Sequence, residues 1–155
     1  MSWARGRDEI LDMLDAGELG QVIADTQLAQ HLIAAAHRHV RSAATLADDD
    51  PELAYAALHD AIRKAMTAML QVQGLRATTV GGHLAVQRAV RVQFGASMGA
   101  LLRPVDRIRS TRHAIQYPDR ESLVDADMVR ADIPAATALV DAAAKAIEHL
   151  TVFAT

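Results

Sequence analysis

Apolar residues return every three or four positions along most of this chain, with polar residues filling the gaps between them. The clearest run opens at Asp50-Pro51-Glu52, an N-cap carboxylate followed by proline at the first helical position. It continues through Ala54, Ala57, Leu58, Ala61, Ile62, Ala65, Met66, Met69 and Leu70 until Gly74 stops it. The same period carries Ala135, Ala138, Leu139, Ala142, Ala143, Ala146, Ile147 and Leu150, predicting a long amphipathic helix near the C-terminal end with Asp141, Lys145 and Glu148 on its polar face. Between Asp25 and Leu46, the positions Leu28, Leu32, Ala36, Val40 and Ala43 predict a third helix, closed by the acidic turn Asp48-Asp49-Asp50. Shorter helices are expected at Arg5–Ala16, before Gly17, and at His83–Phe94, between Gly81-Gly82 and Gly95. Pro104 is expected to restart a helix that runs towards Tyr117-Pro118. Pro134 fits either an early helical position or a kink, and the pattern leaves both open. No segment alternates like a half-buried strand for more than a few residues, and there is no internal repeat or linker. The pattern therefore predicts an all-α fold: an antiparallel helical bundle of about five to six helices, one domain over residues 1–155.

Composition sharpens this picture. Alanine fills 32 of 155 positions and aromatic residues only 3%, so the core must come from close approach of small-faced helices. With 51% hydrophobic and 23% charged residues the chain has the make-up of a folded domain. Cysteine is absent, which removes a disulfide scaffold, a thiolate metal site and a cysteine nucleophile together. No apolar run is long enough to span a bilayer and the first residues lack a signal-peptide core, so the expectation is a cytoplasmic protein with no membrane partner. The net charge of −3 and pI near 6.1 argue against a sequence-blind nucleic-acid coat while allowing a local basic patch.

Candidate chemistry is concentrated late in the chain. Seven histidines, His31, His37, His39, His59, His83, His113 and His149, fail the metal-ligand spacings, since no His-Glu-x-x-His or paired Glu-x-x-His pattern occurs. They read as solvated helix histidines, and neither a metal nor a cofactor is expected. The serines are few and none sits beside an obvious base, so a hydrolase reading has nothing to stand on. Gly81-Gly82 ahead of a helix could offer amides to a phosphate, or could simply be a flexible turn. From Arg103 to Arg120, five arginines, one histidine and one tyrosine fall within 18 residues. On a helix Arg109, Arg112 and His113 share a face, and Tyr117 lies one turn beyond His113. Guanidiniums beside an imidazole and a phenol suit a phosphodiester site, with cations to hold the phosphate and a titratable group to move a proton. The plainer alternative is a solvated cationic face paired with Asp106, Asp119 and Glu121.

Read as Arg112-His113-Ala114-Ile115-Gln116-Tyr117, this stretch resembles the Arg-polar-x-x-x-His motif of the HEPN superfamily, small helical bundles named for nucleotide binding in higher eukaryotes and prokaryotes. The segment from Ala54 to Ala65, with Gln73-Gly74-Leu75-Arg76 and Gly81-Gly82-His83, resembles the long helix and turn of one bacterial HEPN branch, so the likeness runs from about residue 25 to residue 150. It implies a homodimer with two motifs facing across a cleft, RNA as ligand, and metal-independent ribonuclease activity or a relative that lost it. Toxin-antitoxin and antiviral defence roles are common in the family, often with a nucleotidyltransferase-type antitoxin as partner. By the resemblance, Arg112 holds the scissile phosphate, His113 takes the neighbouring polar position and Tyr117 replaces the catalytic histidine; Arg107 and Arg109, from the arginine cluster itself, are the further candidate phosphate or RNA contacts. A phenol, ordinarily titrating near ~10, is a poorer base at neutral pH than an imidazole near ~6.5, so the replacement predicts slowed or absent cleavage. Two alternatives stay open: an Arg107 to His113 register that restores an Arg and His couple, and a non-catalytic module that binds a nucleotide or a partner protein. Tyr117 is also a candidate acceptor for modification by such an antitoxin.

Overall fold

A computed structural model describes residues 4–119 and 123–155. Among the described residues five helices, α1 (Arg7–Asp15), α2 (Thr26–Leu46), α3 (Pro51–Val72), α4 (Gly82–Gln116) and α5 (Ala126–Ala146), surround one apolar core. The all-α bundle expected from the periodicity is what forms. Two three-residue strands, β1 (Leu19–Gln21) and β2 (Leu75–Ala77), pair antiparallel with Gly20 opposite Arg76. No helix among the described residues is long and apolar enough to cross a membrane.

Capping decides where the long helices begin. The side chains of Asp25, Asp50 and Asp125 accept hydrogen bonds from the backbone N–H groups of Leu28 (2.9 Å), Leu53 (3.1 Å) and Met128 (2.9 Å), each satisfying an orphan donor of the first turn. Pro51 then occupies the first position of α3, where its missing N–H costs nothing. Gly74 ends α3 in the left-handed region at φ 71°, turning the chain into β2. α3 is the centre of the bundle: Ala54, Tyr55, Leu58, Ala61, Ile62 and Ala65 are buried against α2, α4 and α5. Pro134 lies inside α5, more than two turns beyond the Asp125 cap, so it is an interior position and not an early one.

α4 departs from a straight helix. Met98 takes a non-helical conformation, φ −120° and ψ 19°. A straight helix would hold Arg91 and Asp106 roughly 22 Å apart at about 1.5 Å per residue. Instead Arg91 Nη1 donates to Asp106 Oδ2 at 3.0 Å, and Gln87 Nε2 donates to the other oxygen of the same carboxylate. The element is thus two limbs folded back antiparallel about Met98. The expected break between Gly95 and Pro104 is real and falls between them. Gly95 and Gly99 flank the fold as poor helix formers. The second limb is under way before Pro104, which sits inside it.

Candidate functional site

The fold-back brings the two ends of α4 together beside α3. On α3, Leu53, Ala56, Ala57 and Asp60 form a stripe at three and four spacing, with His59 and Arg63 one turn apart alongside it. This is the face of α3 turned away from the core. His39 approaches it from the second half of α2, His83 from the start of α4, and Arg112 and Gln116 from its end. Together these residues line a cleft of about 600 Å³.

Asp60 is the single carboxylate on that lining, and both of its oxygens are occupied. Oδ1 accepts from Arg63 Nε (3.2 Å) and Nη2 (2.6 Å); Oδ2 accepts from Lys64 Nζ and lies 3.3 Å from His39 Nε2. Burial alone pushes the Asp60 carboxyl up, but the Lys64 and Arg63 hydrogen bonds and charges together outweigh it, and the group lies below its ordinary value. Arg112 has no hydrogen bond or ion pair among the described residues, so its charge faces the cleft uncompensated. His59 registers that charge. Burial, then Arg112, then Arg63 push its pKa down to about 4, and the imidazole is neutral at physiological pH. His39 is also lowered, by burial first and then by Lys64, against a smaller raising effect of Asp60.

The residues singled out by sequence separate into three places. Arg112 lines the cleft. His113 and Tyr117 pair with each other outside its lining, ring centroids 4.9 Å apart and planes tilted by 47°, and both are exposed, Tyr117 at 64%. Arg107, itself exposed, is held by a buried carboxylate. Its two terminal nitrogens donate to Asp132 of α5 at 2.7 and 2.6 Å, and the Tyr55 hydroxyl of α3 donates to the same carboxylate at 2.6 Å. Arg109 stays with its own helix: Nη2 is 3.9 Å from Asp106, and Nε is buried with no partner among the described residues. Asp106 takes the pairing role expected of a cationic face, whereas Arg120 and Glu121 lie outside the described residues. Gly81 and Gly82 form a packed turn, their N–H groups donating to Thr78 Oγ1 (3.4 Å) and Thr78 O (2.9 Å), and a Cβ at Gly81 would collide with the Glu18 carbonyl.

Sequence reasoning missed His59, His83, Asp60 and Arg63 as a site. The one local signal was His59 and Arg63 at i and i+4, which by itself fits any solvated helix face. No group of three His, Asp or Glu among the described residues is placed to hold a metal ion. Chemically, the cleft offers guanidiniums for an anion and imidazoles for proton transfer. No family model, curated protein or solved structure matches this chain.

Proposed function

We propose that this chain is an RNA-acting protein of the HEPN kind, a metal-independent ribonuclease that takes a phosphodiester into the cleft between α2, α3 and α4. The observation that carries this reading is Arg112, which reaches the cleft free of any carboxylate among the described residues and meets His59, His83 and Arg63 there. Guanidiniums stabilise the charge that builds on phosphorus, and a neutral imidazole can accept the proton of an attacking 2′-hydroxyl.

The test is cleavage of total RNA by the purified protein in EDTA, beside Arg112→Ala and Tyr117→Phe variants confirmed as folded by circular dichroism. Arg112→Ala is expected to lose about a hundredfold or more in rate, the usual cost of removing a group that stabilises transition-state charge. Tyr117→Phe is expected to retain cleavage, because its phenol lies outside the cleft lining. Absence of cleavage by the wild type, or undiminished cleavage by Arg112→Ala, overturns the ribonuclease. A second reading, a non-catalytic module that binds a nucleotide or partner protein, is favoured by one feature: the position where the resemblance expects a histidine holds the exposed Tyr117. RNA or nucleotide binding that needs Arg112, without turnover, would decide for it.

A further inference from the structure

The cleft has a property that phosphate binding alone does not require. A half-buried imidazole, His59, sits among cations supplied from its own helix and from α4, while both oxygens of the one carboxylate beside it are already taken by Arg63, Lys64 and His39. From α3 the groups around it are Asp60 and Arg63, with Lys64 bound to Asp60; from α4 they are Arg112, Gln116 and His83; from α2 it is His39. Three cations, Arg63, Lys64 and Arg112, thus stand against a single carboxylate.

We propose that this cleft is a proton-coupled oxyanion site: a tetrahedral anion held by Arg112 and Arg63 draws a proton onto the His59 imidazole, which then becomes a third donor to it. The argument is one of linkage. Without a ligand, desolvation and the two guanidiniums hold His59 neutral, its pKa lowered to about 4. A bound anion reverses the electrostatic part of that effect, because its negative charge lies among the same cations. By reciprocity, whatever makes protonation easier when the anion is bound makes the anion bind more tightly to the protonated form. Near pH 4 to 5 the free site then holds His59 neutral while the occupied site holds it protonated as a donor; at neutral pH the imidazole stays a proton acceptor in both. This inference rests on the phosphodiester reading only for the identity of the anion, an RNA phosphate or a free phosphate ligand.

The experiment is a pH titration of the histidine side chains of the full chain by NMR, with and without saturating inorganic sulfate, whose own charge is constant over the range. In the wild type the His59 midpoint is expected to rise by about one pH unit or more on adding sulfate, equivalent to a tenfold or greater preference of the anion for the protonated imidazole. In Arg112→Ala, His59 should titrate higher than in the wild type without sulfate and should no longer respond to it. An unmoved His59 in wild type with sulfate, or an equal response in Arg112→Ala, overturns the proposal. Repeating the titration with a short 2′-deoxy oligonucleotide, which lacks the attacking hydroxyl, separates the two anion sources. A response to sulfate alone keeps the proton-coupled site and removes RNA as its ligand; RNA cleavage with an unmoved His59 keeps the ribonuclease and removes the coupling.

Discussion

Asp132 shows how one buried charge ties three helices together. It is 5% exposed, accepts two hydrogen bonds from Arg107 and one from Tyr55, and so joins α5 to α4 and α3. Burial alone raises its carboxyl, but the Arg107 and Tyr55 hydrogen bonds and the Arg107 charge outweigh that, and the group lies below its ordinary 3.8. Burial and the bond to Asp132 push the Tyr55 phenol up to about 12, so it remains a donor across the physiological range. Asp132→Ala strands a buried hydroxyl and unpairs Arg107, and is expected to cost about 3 kcal/mol in urea unfolding, since Arg107 is partly solvated and screened. Tyr55→Phe removes one hydrogen bond with the ion pair intact and should cost about 1 kcal/mol. His59 contributes to stability with a definite pH dependence. Its folded pKa of about 4 lies below the ordinary 6.5, so between these values the unfolded chain binds more protons. The contribution is complete above pH 6.5 and is lost as pH falls towards 4. A His59→Gln variant should show a flatter loss of stability across that interval, measured as urea midpoints at successive pH values.

At the scale of elements, the folded-back α4 decides where the cleft forms. Asp106 braces the two limbs through Gln87 and Arg91, and with the limbs antiparallel the end carrying Arg112 returns to the beginning carrying His83. Gly99, next to the break, does not need to be glycine: its φ is not positive, and a Cβ there would meet nothing within 4 Å. Gly99→Ala is therefore expected to stabilise the protein by about 0.5 to 1 kcal/mol, through helix propensity and a less mobile unfolded chain, visible as a raised midpoint of thermal unfolding. The elements whose limits depend on local chemistry were legible in the sequence. Asp25 and Asp50 cap α2 and α3 because a short carboxylate beside an apolar period has few other uses, and Gly74 ends α3 because the turn needs a left-handed residue. The strands β1 and β2 were not legible, since three residues are too few to display a period of two. Nor was Pro134 settled, because the Asp125 cap that sets its position lies outside the run of alanines that announces α5. Within the site, Arg112 could be found from the local density of arginines. Its partners His59 and His83 could not, because a fold-back at Met98 and the packing of α4 on α3 bring them together, and no spacing rule encodes either. The same packing hands Arg107 to Asp132, which no pattern within residues 103–120 reveals.

For the whole molecule, the proposed function requires a chain of net charge −3 to attract an RNA phosphate. The chain has 14 arginines and two lysines, yet many of the cations are already committed: Arg88 to Glu18, Arg91 to Asp106, Arg107 to Asp132, Arg130 to Asp48 and Asp127, and Arg63 and Lys64 to Asp60. A ligand phosphate approaching most of these would have to compete with a carboxylate that already holds the cation. At the cleft the balance differs, because Arg112 is uncompensated among the described residues and Arg63 shares one carboxylate with Lys64. Attraction is then confined to about two phosphates and not spread over a surface. Counterion release turns that confinement into a number: each neutralised phosphate of a single strand contributes roughly −0.7 to the slope of log affinity against log salt. Two contacts give a slope of about −1.4, or a loss of about sevenfold in affinity between 50 and 200 mM salt, whereas a basic coat making six or more contacts loses a thousandfold or more with duplex DNA. Fluorescence anisotropy of a short labelled RNA across that salt range measures the slope directly. A shallow slope that falls to about −0.7 in Arg112→Ala places the RNA phosphates in the cleft; a slope steeper than about −3 would move binding onto a wider surface and away from it.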